Sequence, residues 1–127
     1  MIIGVGTDIV KVARFEEMTT CFMERVFTLN ERAYLYGKSH ISAAGLFAAK
    51  EAVAKALGTG FRGFWPDMIE ITHDVLGKPE VKLHGEAACA AMKQTKSKCR
   101  FYRRYVIELS ISHTDENAVA FAVICLK

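Results

Sequence analysis

Residues 47–60, Phe-Ala-Ala-Lys-Glu-Ala-Val-Ala-Lys-Ala-Leu-Gly-Thr-Gly, leave this chain few architectures. Together with Ala43 and Ala44 they make residues 42 to 57 read as one long helix. Its thin side chains allow close packing against a sheet. Gly58 and Gly60 stop it, because glycine takes the left-handed backbone of a helix end without steric cost. Within this apolar helix stand two lysines and an acid, Lys50, Glu51 and Lys55. Glu51 and Lys55 lie four residues apart, so both heads reach the same neighbourhood.

Around that helix the pattern is mixed. Residues 1–8 read as a strand, with Ile2, Ile3 and Val5 as strand formers and Asp8 at its end. Gly4 and Gly6 permit another backbone to come close. Val12, Phe15 and Met18 recur every third residue, which predicts a short amphipathic helix with Arg14 off its apolar stripe. Thr28 and Glu31 have capping-box spacing and open a helix that ends near Gly37. Strands over 68–73 and 80–84 flank the turn Gly77-Lys78-Pro79, and residues 85–95 are alanine-rich and helical. The clearest strands are 105–112 and 118–126, on either side of Thr114-Asp115-Glu116-Asn117. Helices early and strands late predict an α+β fold, a largely antiparallel sheet packed against a long helix. The length, 127 residues, predicts one domain spanning 1–127.

Composition excludes several classes. With 51% hydrophobic and 24% charged residues the chain is not disordered. No apolar run approaches the ~20 residues of a membrane span. The N-terminus carries no basic region before its apolar residues, so no signal peptide is expected and the chain is expected to be cytoplasmic. Cys21, Cys89, Cys99 and Cys125 form no close pair, which predicts free thiols and no structural zinc. His40, His73, His84 and His113 are equally dispersed and read as surface or partly buried residues. The net charge of +3 is mild, but residues 93–104 carry Lys93, Lys96, Lys98, Arg100, Arg103 and Arg104 with no acid. Such a field attracts an anionic partner, or is a solvated helix end.

Taken singly, the polar residues have plain explanations. Asp8 is a turn or cap residue, Glu51–Lys55 a helix-stabilising surface pair, and Ser112-His113 a solvated strand end. Phosphate-loop and nucleophile-elbow glycine patterns are both absent. Jointly, two carboxylates from different elements match what magnesium requires, which is oxygen ligands of which one or two are carboxylates.

The order of landmarks is more specific than any of them. Gly6-Thr7-Asp8-Ile9-Val10 is followed by Arg14, then Glu24-Arg25-Val26-Phe27-Thr28 with Glu31 and Tyr34. Residues 47–60, Trp65-Pro66-Asp67-Met68-Ile69-Glu70-Ile71, Gly77-Lys78-Pro79 and Ser110-Ile111-Ser112-His113-Thr114 follow. In this succession the chain resembles the holo-acyl-carrier-protein synthases, the small bacterial type of 4′-phosphopantetheinyl transferase. The resemblance spans residues 4 to 123. It departs at Leu46, where the family usually has an arginine before Phe-Ala-Ala-Lys-Glu.

The resemblance implies a 4′-phosphopantetheinyl transferase-like fold and transfer of 4′-phosphopantetheine from coenzyme A to a serine of apo-acyl carrier protein, in support of fatty acid biosynthesis. Adenosine 3′,5′-bisphosphate would leave. It implies Asp8 and Glu51 as ligands of a magnesium cofactor, and Lys55 beside them as the cation that stabilises the leaving oxygens. The serine proton needs a base, either water at the cation or a carboxylate acting through it. Lys50, Lys55, Gly58, Ser112 and His113 are the expected coenzyme A contacts, with Lys50 or residues 93–104 as substitutes for the arginine missing at Leu46. Arg14 and Met18 are expected to meet the acidic carrier. The resemblance also implies a homotrimer with active sites between subunits, with neither nucleic acid nor membrane as partner.

Two other classes compete. A nucleic-acid module would use residues 93–104 with Phe101, Tyr102 and Tyr105 as stacking groups, but leaves Asp8 and Glu51 without a purpose. A non-catalytic coenzyme A-binding protein would not need both acids.

Overall fold

The first strand, β1 (Ile2–Lys11), runs three residues past Asp8, in a computed structural model that describes residues 1–101 and 104–127. It was expected to end at Asp8. It continues because alternation holds, with Gly6 and Val10 buried and Val5, Thr7 and Ile9 facing outward. A 3-10 turn (Val12–Phe15) follows, whose three-residue period accounts for the spacing of Val12 and Phe15. Met18 lies beyond it, so the predicted helix through Met18 is not formed. Next come α1 (Thr20–Val26) and α2 (Leu29–Leu35). The seven-residue α1 was not anticipated; its visible signal is Thr19, whose hydroxyl accepts from the Phe22 amide at 3.1 Å. At α2 both halves of the expected capping box are present.

The long helix is α3 (His40–Ala56), beginning two residues before the predicted start. At its end Gly58 has φ +80°, and the Gly60 amide donates back to the Ala54 carbonyl at 3.1 Å, the left-handed stop expected there. The hairpin of β2 (Ile69–His73) and β3 (Pro79–Leu83) is closed by Asp74, whose carboxylate accepts from the amides of Leu76 and Lys78. Then come α4 (Gly85–Lys98), β4 (Tyr105–His113) and β5 (Asn117–Leu126).

The main sheet is antiparallel in the order β1-β5-β4. The inward side of β5 carries Ala118, Ala120, Ala122 and Ile124, all buried, and α3 lies across it. Contact with β1 is closer still. A methyl group added at Gly4 would lie 2.0 Å from the Ala56 carbonyl oxygen, and at Gly6 only 1.9 Å from that of Ala52. The two glycines therefore let the strand and the helix meet backbone to backbone. Among the described residues no helix is long and apolar enough to cross a membrane, and all four cysteines are free.

Candidate active site

Close approach of β1 to α3 decides what meets beside it. Asp8 points inward from β1, opposite Ala120 on the neighbouring strand, and α3 presents Glu51 and Lys55 on the facing turns. The Lys55 ammonium donates to Asp8 Oδ1 at 3.0 Å and to the Thr7 carbonyl at 3.0 Å. Burial raises the Glu51 carboxyl above its ordinary range, and the Asp8 carboxylate adds to the rise against the pull of Lys55 and Arg14. Two acids and a lysine from β1 and α3 thus come together at one partly exposed place.

That donor set fits a hard divalent cation. Two carboxylates repel each other across a partly desolvated gap, and an ion between them relieves both costs. No cluster of three or more potential ligands occurs among the described residues. Two oxygen-bearing side chains match magnesium, which takes most of its shell from water and phosphate.

Lys50 requires a correction. Expected among the coenzyme contacts, it is wholly buried instead. Its ammonium donates to Glu31 Oε1 at 2.6 Å, to the Pro66 carbonyl at 3.1 Å and to the Ile69 carbonyl. Burial lowers the pKa of this lysine, opposed chiefly by Glu31. Glu31 is equally buried, accepts from the Thr28 amide and, through Oε2, from the Ile71 amide at 2.9 Å. This pair ties α2 and α3 to β2 and faces no solvent, so Lys50 does not replace the cation missing at Leu46.

His113 lies on the other flank of α3. It lines a cleft of about 300 Å³ with Tyr34, Leu46, His73, Gly77 and Pro79, and neither Asp8 nor Glu51 reaches it. Ser112, expected in the same pocket, is not among its lining residues: successive residues of a strand face opposite ways, and Ser112 takes the outward face. Gly58 sits exposed at the end of α3, with its amide used on the Lys55 carbonyl. Within one chain the structure therefore gathers Asp8, Glu51 and Lys55 but holds His113 apart from them.

Arg14 is exposed, its guanidinium 5.7 Å from the centre of the Phe47 ring, and it acts electrostatically on Glu51. It therefore borders the carboxylates as well as facing outward, which its sequence position does not reveal. Met18 is half-buried beside Phe15 and Met23 in a shallow groove. Along α4, Lys93, Lys96 and Lys98 are exposed, as are Arg100 and Arg104 beyond it. Arg103 and Tyr102 lie outside the described residues. Two cleft residues went unrecognised in the sequence as site groups, Tyr34 and His73, whose rings stack at 4.3 Å and 11°. A tyrosine on a short helix and a histidine at a strand end carry no signal that they meet.

Comparison with known proteins joins these observations. Residues 4–110 match the family model described as the 4′-phosphopantetheinyl transferase superfamily. The chain is 45% identical to the holo-[acyl-carrier-protein] synthase of Clostridium beijerinckii, over 97% of each protein. The fold is similar to that of a holo-(acyl-carrier-protein) synthase from Bacillus anthracis in complex with CoA (3′,5′-ADP), with a TM-score of 0.77 and 37% identity over 98% of this chain and 96% of that one. It is also similar to the Helicobacter pylori synthase in complex with coenzyme A, with a TM-score of 0.76 and 28% identity over 95% and 99% of the two chains. A full-length match, the same α+β fold, and a lysine and two carboxylates brought to one place agree: this chain belongs to the 4′-phosphopantetheinyl transferase superfamily.

Proposed function

We propose that this chain, as one phosphopantetheinyl transferase domain, moves 4′-phosphopantetheine from coenzyme A to a serine of apo-acyl carrier protein. The observation that carries the reading is the convergence of Asp8, Glu51 and Lys55 in a member of this family. The serine oxygen, its proton passing to water or to a site carboxylate, attacks the pantetheine-side phosphorus, the bond from that phosphorus to the bridging oxygen breaks, and adenosine 3′,5′-bisphosphate leaves. Asp8 and Glu51 are the residues that would hold magnesium, which when bound supplies neutralising charge to the pyrophosphate. Lys55 is half-exposed, so its ammonium can pass from Asp8 to a phosphate oxygen. There it stabilises the negative charge that grows as the bridge breaks.

The cleft at His113 suits the nucleotide end of coenzyme A. Because it lies across α3 from the carboxylates, one coenzyme molecule reaches both most simply when the His113 of one chain adjoins the Asp8 of another. An exposed apolar sheet face supports such assembly: Ile9 is 66% and Phe121 49% accessible, with Val5 and Val119 beside them. We assign that face to a homotrimer contact. Arg14, with Met18 nearby, offers the acidic carrier a cation next to the catalytic pocket. The place of action is the cytoplasm, in support of fatty acid biosynthesis.

The test is direct. Incubation with coenzyme A, magnesium and apo-acyl carrier protein should raise the carrier's mass by one phosphopantetheine group on its serine. An unchanged carrier mass, with coenzyme A and carrier both intact, overturns the reading.

A further inference from the structure

Coenzyme A carries two anionic groups, a pyrophosphate and a phosphate monoester on the ribose. The proposed site places the pyrophosphate at Asp8, Glu51 and Lys55. The ribose phosphate is left for the second cleft, where Leu46 forms part of the wall and offers no charge. Among the described residues lining that cleft, His73 and His113 alone can become cationic, and no carboxylate faces in.

These two histidines differ. His113 is exposed at a strand end, whereas His73 is half-buried and held flat against Tyr34, with ring centres 4.3 Å apart. Its backbone pairs with Pro79 across the β2–β3 hairpin, which adds a second restraint. Lys38 lies 4.7 Å from the far partner of that stack, the Tyr34 ring, and Asp74 adjoins His73 in the chain. Glu31 on α2 is the remaining charge acting on it. Burial first and Lys38 second hold the imidazole below the ordinary histidine range, against Asp74 and Glu31, so the empty cleft disfavours the protonated ring. A phosphate dianion entering beside it reverses that balance, since an anion favours the protonated ring.

Resting on the coenzyme A reading above, we propose that His73 is the cation for the ribose phosphate, taking up a proton as coenzyme A binds and supplying the charge that Leu46 lacks. Tyr34 is then a positioning residue, which keeps the imidazole edge turned to the cleft. The sign follows: a proton taken up on binding makes affinity rise as pH falls from 8 to 6. The ribose phosphate's own ionisation is common to every variant and cancels in comparisons between them.

Calorimetry of coenzyme A and of 3′-dephospho-coenzyme A on the full chain, with magnesium, at pH 6.5 and 8, tests this. His73→Gln should weaken coenzyme A about tenfold to a hundredfold at pH 6.5, the range for a charge-assisted hydrogen bond. It should weaken it less at pH 8 and leave dephospho-coenzyme A nearly unchanged. Proton uptake, read from heats in buffers of different ionisation enthalpy, should fall in the variant. His73→Lys should restore affinity for coenzyme A and flatten its pH dependence, which a merely structural role for the ring would not do. Equal losses for both ligands, or none, with His73→Lys no better than His73→Gln, overturn the assignment while leaving the coenzyme reading standing. If the native protein binds neither ligand, the coenzyme reading falls and takes this inference with it.

Discussion

Lys50 and Lys55 leave the same helix five residues apart, and their surroundings differ in every respect that matters to a charge. The Lys50–Glu31 pair has no exposure on either side chain, while Lys55 is 50% and Asp8 16% exposed. The first pair is saturated by capping-box and carbonyl hydrogen bonds, so neither charge is available to a ligand. The second keeps carboxylate oxygens and an ammonium within reach of solvent. Burial with every polar atom satisfied produces a strut, and partial burial with spare oxygens produces a site. The same pairing of a lysine with a carboxylate serves both ends because helix rotation turns one lysine into the protein and the other outward.

Lys50→Met gives the largest expected effect on that contrast. It leaves the buried Glu31 without its cation and should cost about 3–5 kcal/mol, read from denaturant unfolding. Lys55→Met should cost under about 1 kcal/mol by the same measurement, since its ammonium is half-exposed. Equal losses would erase the distinction between strut and site.

Activity should separate the pairs in the opposite sense. Asp8→Ala or Glu51→Ala should lower transfer to the carrier by about a thousandfold, close to 4 kcal/mol, with melting temperature nearly kept. Lys55→Met should lower it about a hundredfold. Excess chelator should mimic the acid variants in the native protein. Full activity in Asp8→Ala, or in chelator, removes these acids from the mechanism.

A smaller effect is expected at the rim. Arg14→Glu should raise the KM for carrier about tenfold and that for coenzyme A much less, and added salt should narrow the gap between native and variant. A matching rise for both substrates would make Arg14 part of the coenzyme site rather than of the docking face.

The smallest sharpens the buried side. Burial alone would raise the Glu70 carboxyl, but hydrogen bonds from Thr28, His84 and Asn30 outweigh it and hold the group below its ordinary range. A carboxylate depressed in the folded state contributes stability that is complete above the unfolded carboxylate range and lost as pH falls through the folded value. Unfolding between pH 7 and pH 3 should therefore show an acid loss that Glu70→Gln diminishes. An identical acid profile in the variant would show that the Thr28 and His84 bonds do not depend on the charge.

Local rules made much of this legible. The Thr28–Glu31 capping box, the glycine stop of α3 and the alternation of β4 and β5 each rest on neighbours within a few residues, and each is present. The extension of β1 past Asp8 was not legible, because an acid at that point is a common end signal and the pairing that continues the strand comes from β5, more than a hundred residues away. The missed α1 has only one turn of side-chain signal, and the helix expected through Met18 failed because a three-residue spacing fits a 3-10 turn as well as an α-helix.

By itself the sequence determined which chemistry was present: two carboxylates and a lysine on elements of known type, with glycines where backbones must meet. It also determined the family, because the order of its landmarks survives translation into any fold. Only the tertiary structure decided which lysine was buried, that Ser112 and His113 face opposite sides, and that His73 stacks on Tyr34 beside Leu46. The physical reason is range. Capping, turns and periodicity are set by bonds within one turn of chain, whereas desolvation and the charge at a side chain's tip depend on whatever other segments are packed around it.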